Sequence, residues 1–185
     1  MATSSLLGTT VHDAAQRTAE MTDVLLAPLS DAVAAERLIA VLRAHGEPES
    51  VQLSAADVPG LRQAAGELRA VFAAADAGEA ADELNRLLAA HARRPRLSTH
   101  GGISGWHLHV DGDDDAPWPE WFLTSSCLAL SILLTERQAP PAGLCESPSC
   151  GRPFVNVGRG SPRRFCSDRC ATRERVAAYR DGHQS

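Results

Sequence analysis

The chain contains no lysine; all 18 of its Lys/Arg-type cations are arginines. Aromatic residues make up only 4% of the sequence, which favours helices packed through small and medium side chains. No apolar run approaches the ~20 residues needed to span a bilayer, so no membrane location is expected. The first ten residues lack a basic stretch leading into an apolar run and a small-residue cleavage site. Secretion is therefore not indicated, and a reducing, cytoplasmic setting is expected. There is no phosphate-cradling glycine loop, no G-x-S-x-G elbow and no H-E-x-x-H pair, so no enzyme class is named and none is expected. No internal repeat of fixed period is present.

A chain of 185 residues suits one ordinary domain with a small appendage. Its formal charge of −5 is unevenly placed. From Cys145 onward eight arginines face four acids, a balance of +4, which leaves −9 for residues 1–144. An acidic body with a basic tail points to an anionic partner for the tail.

Periodicity predicts a mainly α protein with one β-hairpin. The first helix is expected over Val11 to Val24, polar enough to be partly exposed. Ser30 caps a second, Asp31 to Ala44, with Ala35, Leu38, Ile39 and Leu42 on one face. Ser54 and Asp57 open a third that runs to about Ala75, with Leu61, Ala65, Leu68 and Phe72 in a stripe and Pro59 in its first turn. Gly78 precedes a fourth, about Glu79 to Ala92, carrying Ala81, Leu84, Leu87 and Leu88. A fifth, apolar helix is expected from about Glu120 to Arg137, with Cys127 buried in it. Residues 1–138 thus form a helical domain, and the Pro/Gly-bearing stretch 139–144 reads as a linker.

Between the fourth and fifth helices the period changes to two. Arg96 to His100 and Trp106 to Val110 read as hairpin strands. His107 and His109 share one strand face, and His100 lies within reach across the hairpin, so a three-histidine metal site is geometrically possible. Exposed polar alternation on a half-buried strand is the favoured reading, because the sequence specifies no acidic partners for these rings. Asp111 to Asp115 is an acidic turn, and its Asp113-Asp114-Asp115 run, which lacks the spaced ligands of a cation loop, is read as solvated.

The strongest chemical signal is C-terminal. Cys145 and Cys150 form a C-x4-C pair, Cys166 and Cys170 a C-x3-C pair, with fifteen residues between. Two close thiol pairs joined by a loop are what a tetrahedral Zn2+ site requires. The segment 145–185 is too small to bury a useful core, and structural zinc supplies the folding free energy it lacks, about 10–16 kcal/mol. One structural Zn2+ is expected, with all four positions filled and none open for catalysis. Cys150-Gly151 suits a knuckle leading into a strand. Residues 157–162 form a turn, and Ser167 and Asp168 start a helix with Cys170 in its first turn. This is a treble-clef-like arrangement, with Phe154 and Phe165 as its expected apolar core. Helical steps of about 100° place Arg169, Arg173, Val176 and Arg180 within about a 60° stripe, with Arg159, Arg163 and Arg164 in the preceding turn.

Cys145-x4-Cys150-Gly-Arg-Pro-Phe154, Arg163-Arg164-Phe165-Cys166-Ser167-Asp-Arg-Cys170-Ala171-Thr172-Arg173 and Tyr179-Arg180 together resemble the CGNR zinc fingers of bacteria. The departures from that pattern are Phe165 for Trp, Ala171 for Gly, Thr172 for Asn, and a second cysteine pair one residue tighter. The resemblance implies a finger preceded by a mostly helical domain, called ABATE, in a stress-induced transcription regulator. Together with the basic stripe and turn, this points to a DNA partner reached through Arg159, Arg163, Arg164, Arg169, Arg173 and Arg180. The helical domain would then sense a small-molecule or protein signal or mediate homodimerisation. The alternatives are a protein–protein interaction module, as in the small gyrase-inhibiting zinc proteins, and a ligand-binding protein centred on the helical domain.

Overall fold

Thr18 and Thr22 look polar in the sequence, yet both are buried, because each hydroxyl donates to the main-chain carbonyl four residues back: Thr18 to Ala14 at 3.0 Å and Thr22 to Thr18 at 2.7 Å. The helix that carries them, α1 (Val11–Leu26), turns one face into the core while His12, Gln16 and Leu26 stay exposed, so it is partly exposed as expected. Its Ala15, Ala19, Met21 and Leu25 are all at most 2% exposed. The computed structural model of the protein describes residues 11–47, 51–102, 105–156 and 160–181. Among them six helices and two two-stranded antiparallel sheets are found.

The body follows the expected order. Helix α2 (Asp31–Ala44) is capped by the Ser30 hydroxyl, which accepts from the Val33 amide. Helix α3 (Val58–Ala73) has Pro59 in its first turn and buries Leu61, Ala65, Leu68 and Phe72 as anticipated. Helix α4 (Ala77–His91) starts two residues earlier than expected, because the Asp76 carboxylate caps it by accepting from the Glu79 amide at 2.9 Å. Helix α5 (Trp118–Arg137) likewise begins at Trp118, taking Pro119 into its first turn, and packs against α1, α3 and α4. Cys127 is 1% exposed in α5, and burial pushes its thiol up to about 12, so it is a core side chain and not a reactive one. No helix among the described residues is long and apolar enough to cross a membrane.

Strands β1 (Arg96–Ser98) and β2 (His107–His109) form the expected hairpin. Its register pairs Arg96 with His109 and Ser98 with His107. The faces are opposite to expectation. Leu97 and Leu108 are exposed, at 65% and 45%, while Ser98 and His109 are buried. Asp113, Asp114 and Asp115 are exposed, as a solvated turn should be, while Asp111 before them is 2% exposed and pairs with Arg96.

The segment expected as a linker is not one throughout. Its residues Ala142–Leu144 form β3, which pairs with β4 (Pro153–Val155). Ala142, at 2% exposure, and Val155, at 0%, belong to the same apolar core as the helices. Strand β4 lies against α1, and β3 against α3. Gly143 is required where it stands, since a Cβ there would come within 2.8 Å of the Phe154 ring. The C-terminal module therefore docks on the helical body through its hairpin.

Candidate metal centre

Between β3 and β4 the chain makes a tight knuckle. Cys145 directly follows β3, its amide donates to the Arg152 carbonyl at 2.9 Å, and the Cys150 amide donates to the Ser147 carbonyl at 2.8 Å. Gly151 follows at φ +66°, a left-handed conformation that costs glycine nothing. The second pair comes from the start of α6 (Asp168–Asp181). There the Ser167 hydroxyl accepts from the Cys170 amide at 3.3 Å, which holds the first turn in place. The knuckle thus sits inside the β3–β4 hairpin, and residues 157–159 of the expected 157–162 turn lie outside the described residues. The returning chain joins it through the Glu146 amide donating to the Arg164 carbonyl at 2.9 Å. Asn156, 3% exposed, ties the parts together: its side-chain amide donates to Pro140 and its carbonyl accepts from the Arg163 amide.

The four sulfur atoms converge. All lie within 4.8 Å of one another, with Cys150 and Cys166 Sγ 3.6 Å apart and Cys166 and Cys170 Sγ 3.8 Å apart. A disulfide needs about 2.05 Å, so none is formed. A tetrahedron of sulfurs about 2.3 Å from a central Zn2+ has edges of about 3.8 Å, close to the Cys150–Cys166 and Cys166–Cys170 separations. The protonation chemistry agrees. Burial opposes ionisation of Cys150, but hydrogen bonds from the Arg152 main chain and side chain and from Cys166 and Cys145 outweigh it and hold the thiol at about 6. Cys166 is pushed up to about 12, by burial first and then by donating to Cys150 and Cys145. Zinc binding requires thiolates, and a bound dication supplies the positive charge that stabilises them.

The six arginines expected at a DNA surface have different surroundings. Arg159 lies outside the described residues. Arg163 donates to the Val155 carbonyl at 3.0 Å and lies over the Phe154 ring, 5.1 Å from its centroid. Arg164 pairs with Glu146 at 2.6 Å and covers Phe165. Phe165 is consequently half-buried at the surface, and it is Phe154 and Val155 that carry the apolar packing. Arg173 turns inward: it reaches the Ser147 hydroxyl, donates to Cys170 Sγ at 3.5 Å and contacts Glu174 at 3.3 Å. Arg169 and Arg180 are exposed on α6 and make no ion pair among the described residues.

One residue was missed in the sequence. Arg152, directly after the Cys150-Gly151 step, stands across a shallow groove of about 250 Å3 from Arg169 and Arg173, with Ser149, Cys150 and Ser167 between them. Its position two residues beyond a zinc-knuckle cysteine was the available signal.

Compared with known proteins, residues 142–183 match the model of the CGNR zinc finger family. No curated protein matches the chain. The ligand geometry and the family match agree, and residues 142–183 are a CGNR zinc finger domain whose four cysteines hold one Zn2+.

Proposed function

We propose that the protein is a DNA-binding transcriptional regulator and not an enzyme. Zinc shapes the finger, and α6 with the knuckle meets the phosphate backbone. The observation that carries this reading is the groove between Arg152, Arg169 and Arg173 at the start of α6. Arg152, Arg169 and Arg173 line that space, beside a helix N-terminus that also favours an anion. The Zn2+ tetrathiolate itself carries −2, and the hydrogen bonds of Arg152 and Arg173 to thiolates offset part of that charge. Arg169 and Arg180, about 20° apart around the helix, remain to contact DNA along one stripe. The helical body, similar in architecture to an ABATE domain, serves as the sensing or dimerising half in the cytoplasm.

Fluorescence anisotropy with duplex DNA across a salt series tests this. The affinity of the zinc-loaded chain should fall by about one log unit per phosphate contact for each tenfold rise in salt. The double variant Arg169→Ala/Arg180→Ala should flatten that slope by about two and keep its zinc. No DNA binding at low salt, or an unchanged slope in the double variant, defeats the proposal. A protein that co-purifies only with the zinc-loaded chain would favour an interaction module, for which the exposed Val176 and Tyr179 offer an apolar contact.

A further inference from the structure

The β1–β2 hairpin buries its polar face and exposes its leucines, which is unfavourable unless the polar groups gain something in return. Strand alternation puts His107 and His109 on the inward face. His100 joins them because it adopts φ +49°, an uncommon conformation for a non-glycine residue, which turns the chain back over the strand pair. The three imidazoles meet at their Nε2 atoms: His107 is 3.0 Å from His100 and 2.8 Å from His109.

The opposite edge of each ring faces an oxygen. His109 Nδ1 lies 3.2 Å from both oxygens of Asp111, His107 Nδ1 lies 2.8 Å from the Gly105 carbonyl, and His100 Nδ1 lies 3.5 Å from Asp114. Carbonyl and carboxylate oxygens only accept, so this network assigns the proton of each neutral ring to Nδ1 and a lone pair to Nε2. Three lone pairs directed at one another repel; a cation among them removes the conflict. The carboxylates are themselves anchored, Asp111 by Arg96 at 2.8 Å and Asp114 by Arg96 and by Ser98 Oγ at 2.9 Å. With Arg96 counted against both acids, one negative charge is left to favour a cation. A carboxylate or carbonyl holding the far nitrogen is the usual outer support of a metal-bound histidine, and here the fold supplies all three.

We propose that His100, His107 and His109 form a second metal site, through their Nε2 atoms, for a divalent transition ion of the zinc class. Nitrogens about 2.0–2.1 Å from a tetrahedral centre stand roughly 3.3 Å apart, so the rings open by only a few tenths of an ångström to admit the ion. Imidazole ligands select zinc, copper or nickel over magnesium or calcium. Three protein ligands leave one coordination position for water or another ligand. The site is independent of the finger and of its role on DNA.

Titration of the chelator-stripped, untagged full chain with Co2+ separates the two sites. Two equivalents should bind. One shows intense thiolate-to-cobalt charge transfer, and the other only weak visible bands of nitrogen and oxygen ligation. His107→Ala and His109→Ala should each abolish the second equivalent while keeping the charge-transfer equivalent and the helical circular dichroism. Asp111→Asn should keep both equivalents but weaken the second by about 10–100-fold. A wild-type chain that binds only the charge-transfer equivalent overturns the proposal, as does a second equivalent undiminished in both histidine variants. Should those variants misfold, unchanged affinity in Asp111→Asn overturns it. Loss of the charge-transfer equivalent in the wild type would count against the finger alone.

Discussion

Arg173 shows how one side chain divides between two tasks. Its guanidinium reaches Ser147 and Cys170 Sγ, so it supports a zinc ligand, while 45% of the side chain stays exposed beside the groove. A hydrogen bond to a thiolate stabilises the charged form that binds zinc and competes against protonation. Arg173→Ala should therefore weaken zinc by about 10–100-fold, as read in a competition with a chromophoric chelator. Arg169→Ala, which removes a side chain that touches no ligand, should leave that affinity unchanged. Equal zinc affinity in the two variants would show that the Arg173 contact is not supporting the metal. For the same reason Arg169 and Arg180, and not Arg173, are the clean probes of DNA contact.

Helix α1 is central because its polar residues satisfy themselves. Thr18 donates to Ala14 and meets Ser126 of α5 at 2.9 Å in a buried contact, so the α1–α5 interface carries a hydroxyl pair within an apolar seam. Removing one partner leaves the other buried with less to bond, at a cost of about 1–3 kcal/mol. Thr18→Val alone should destabilise the protein by that amount in urea unfolding. The double variant Thr18→Val/Ser126→Ala should recover part of the loss, because neither hydroxyl is then stranded. Strictly additive losses would mean that the two hydroxyls do not communicate. Helix α6 is the opposite case: apart from Cys170, Ala171 and Glu174 its described side chains are exposed, and its contacts to the knuckle come from its first two turns, through Cys170 and through Arg173 and Glu174 on Ser147.

For the whole molecule the decisive feature is a shared core. Ala142 and Val155 belong to the zinc finger and are buried with the body helices. Metal binding and folding of the body are consequently coupled, since zinc favours the folded state in proportion to its occupancy. Val155→Ala should cost on the order of 2 kcal/mol and lower Tm by roughly 4–8 °C. The transition followed by tryptophan fluorescence, which reports Trp106, Trp118 and Trp121, all in the body, should move with zinc release. Chelation should lower the same transition. A helical transition that ignores both changes would mean that finger and body unfold separately.

Much of this was legible in order along the chain. The stripes of α2 and α3, the Ser30 cap and the four metal ligands follow from local spacing, because helical period, capping chemistry and thiol pairing act over a few residues. Asp76 as the cap of α4 was equally local but was overlooked in favour of Gly78. Other features depend on what lies across space. The burial of α1 rests on hydroxyls that pair within their own helix and with Ser126, and so cancel a polarity that periodicity counts against burial. The inward face of the hairpin rests on Arg96, Asp111 and Asp114, which stabilise buried imidazoles that the alternation alone would place in water. The sequence by itself determined which residues bind zinc and where the helices run, since those properties are set between near neighbours. Only the tertiary structure decided that the finger shares the body's core, which arginines are already engaged, and that three histidines with acidic supports meet at one point, because each is a property of distant segments brought together.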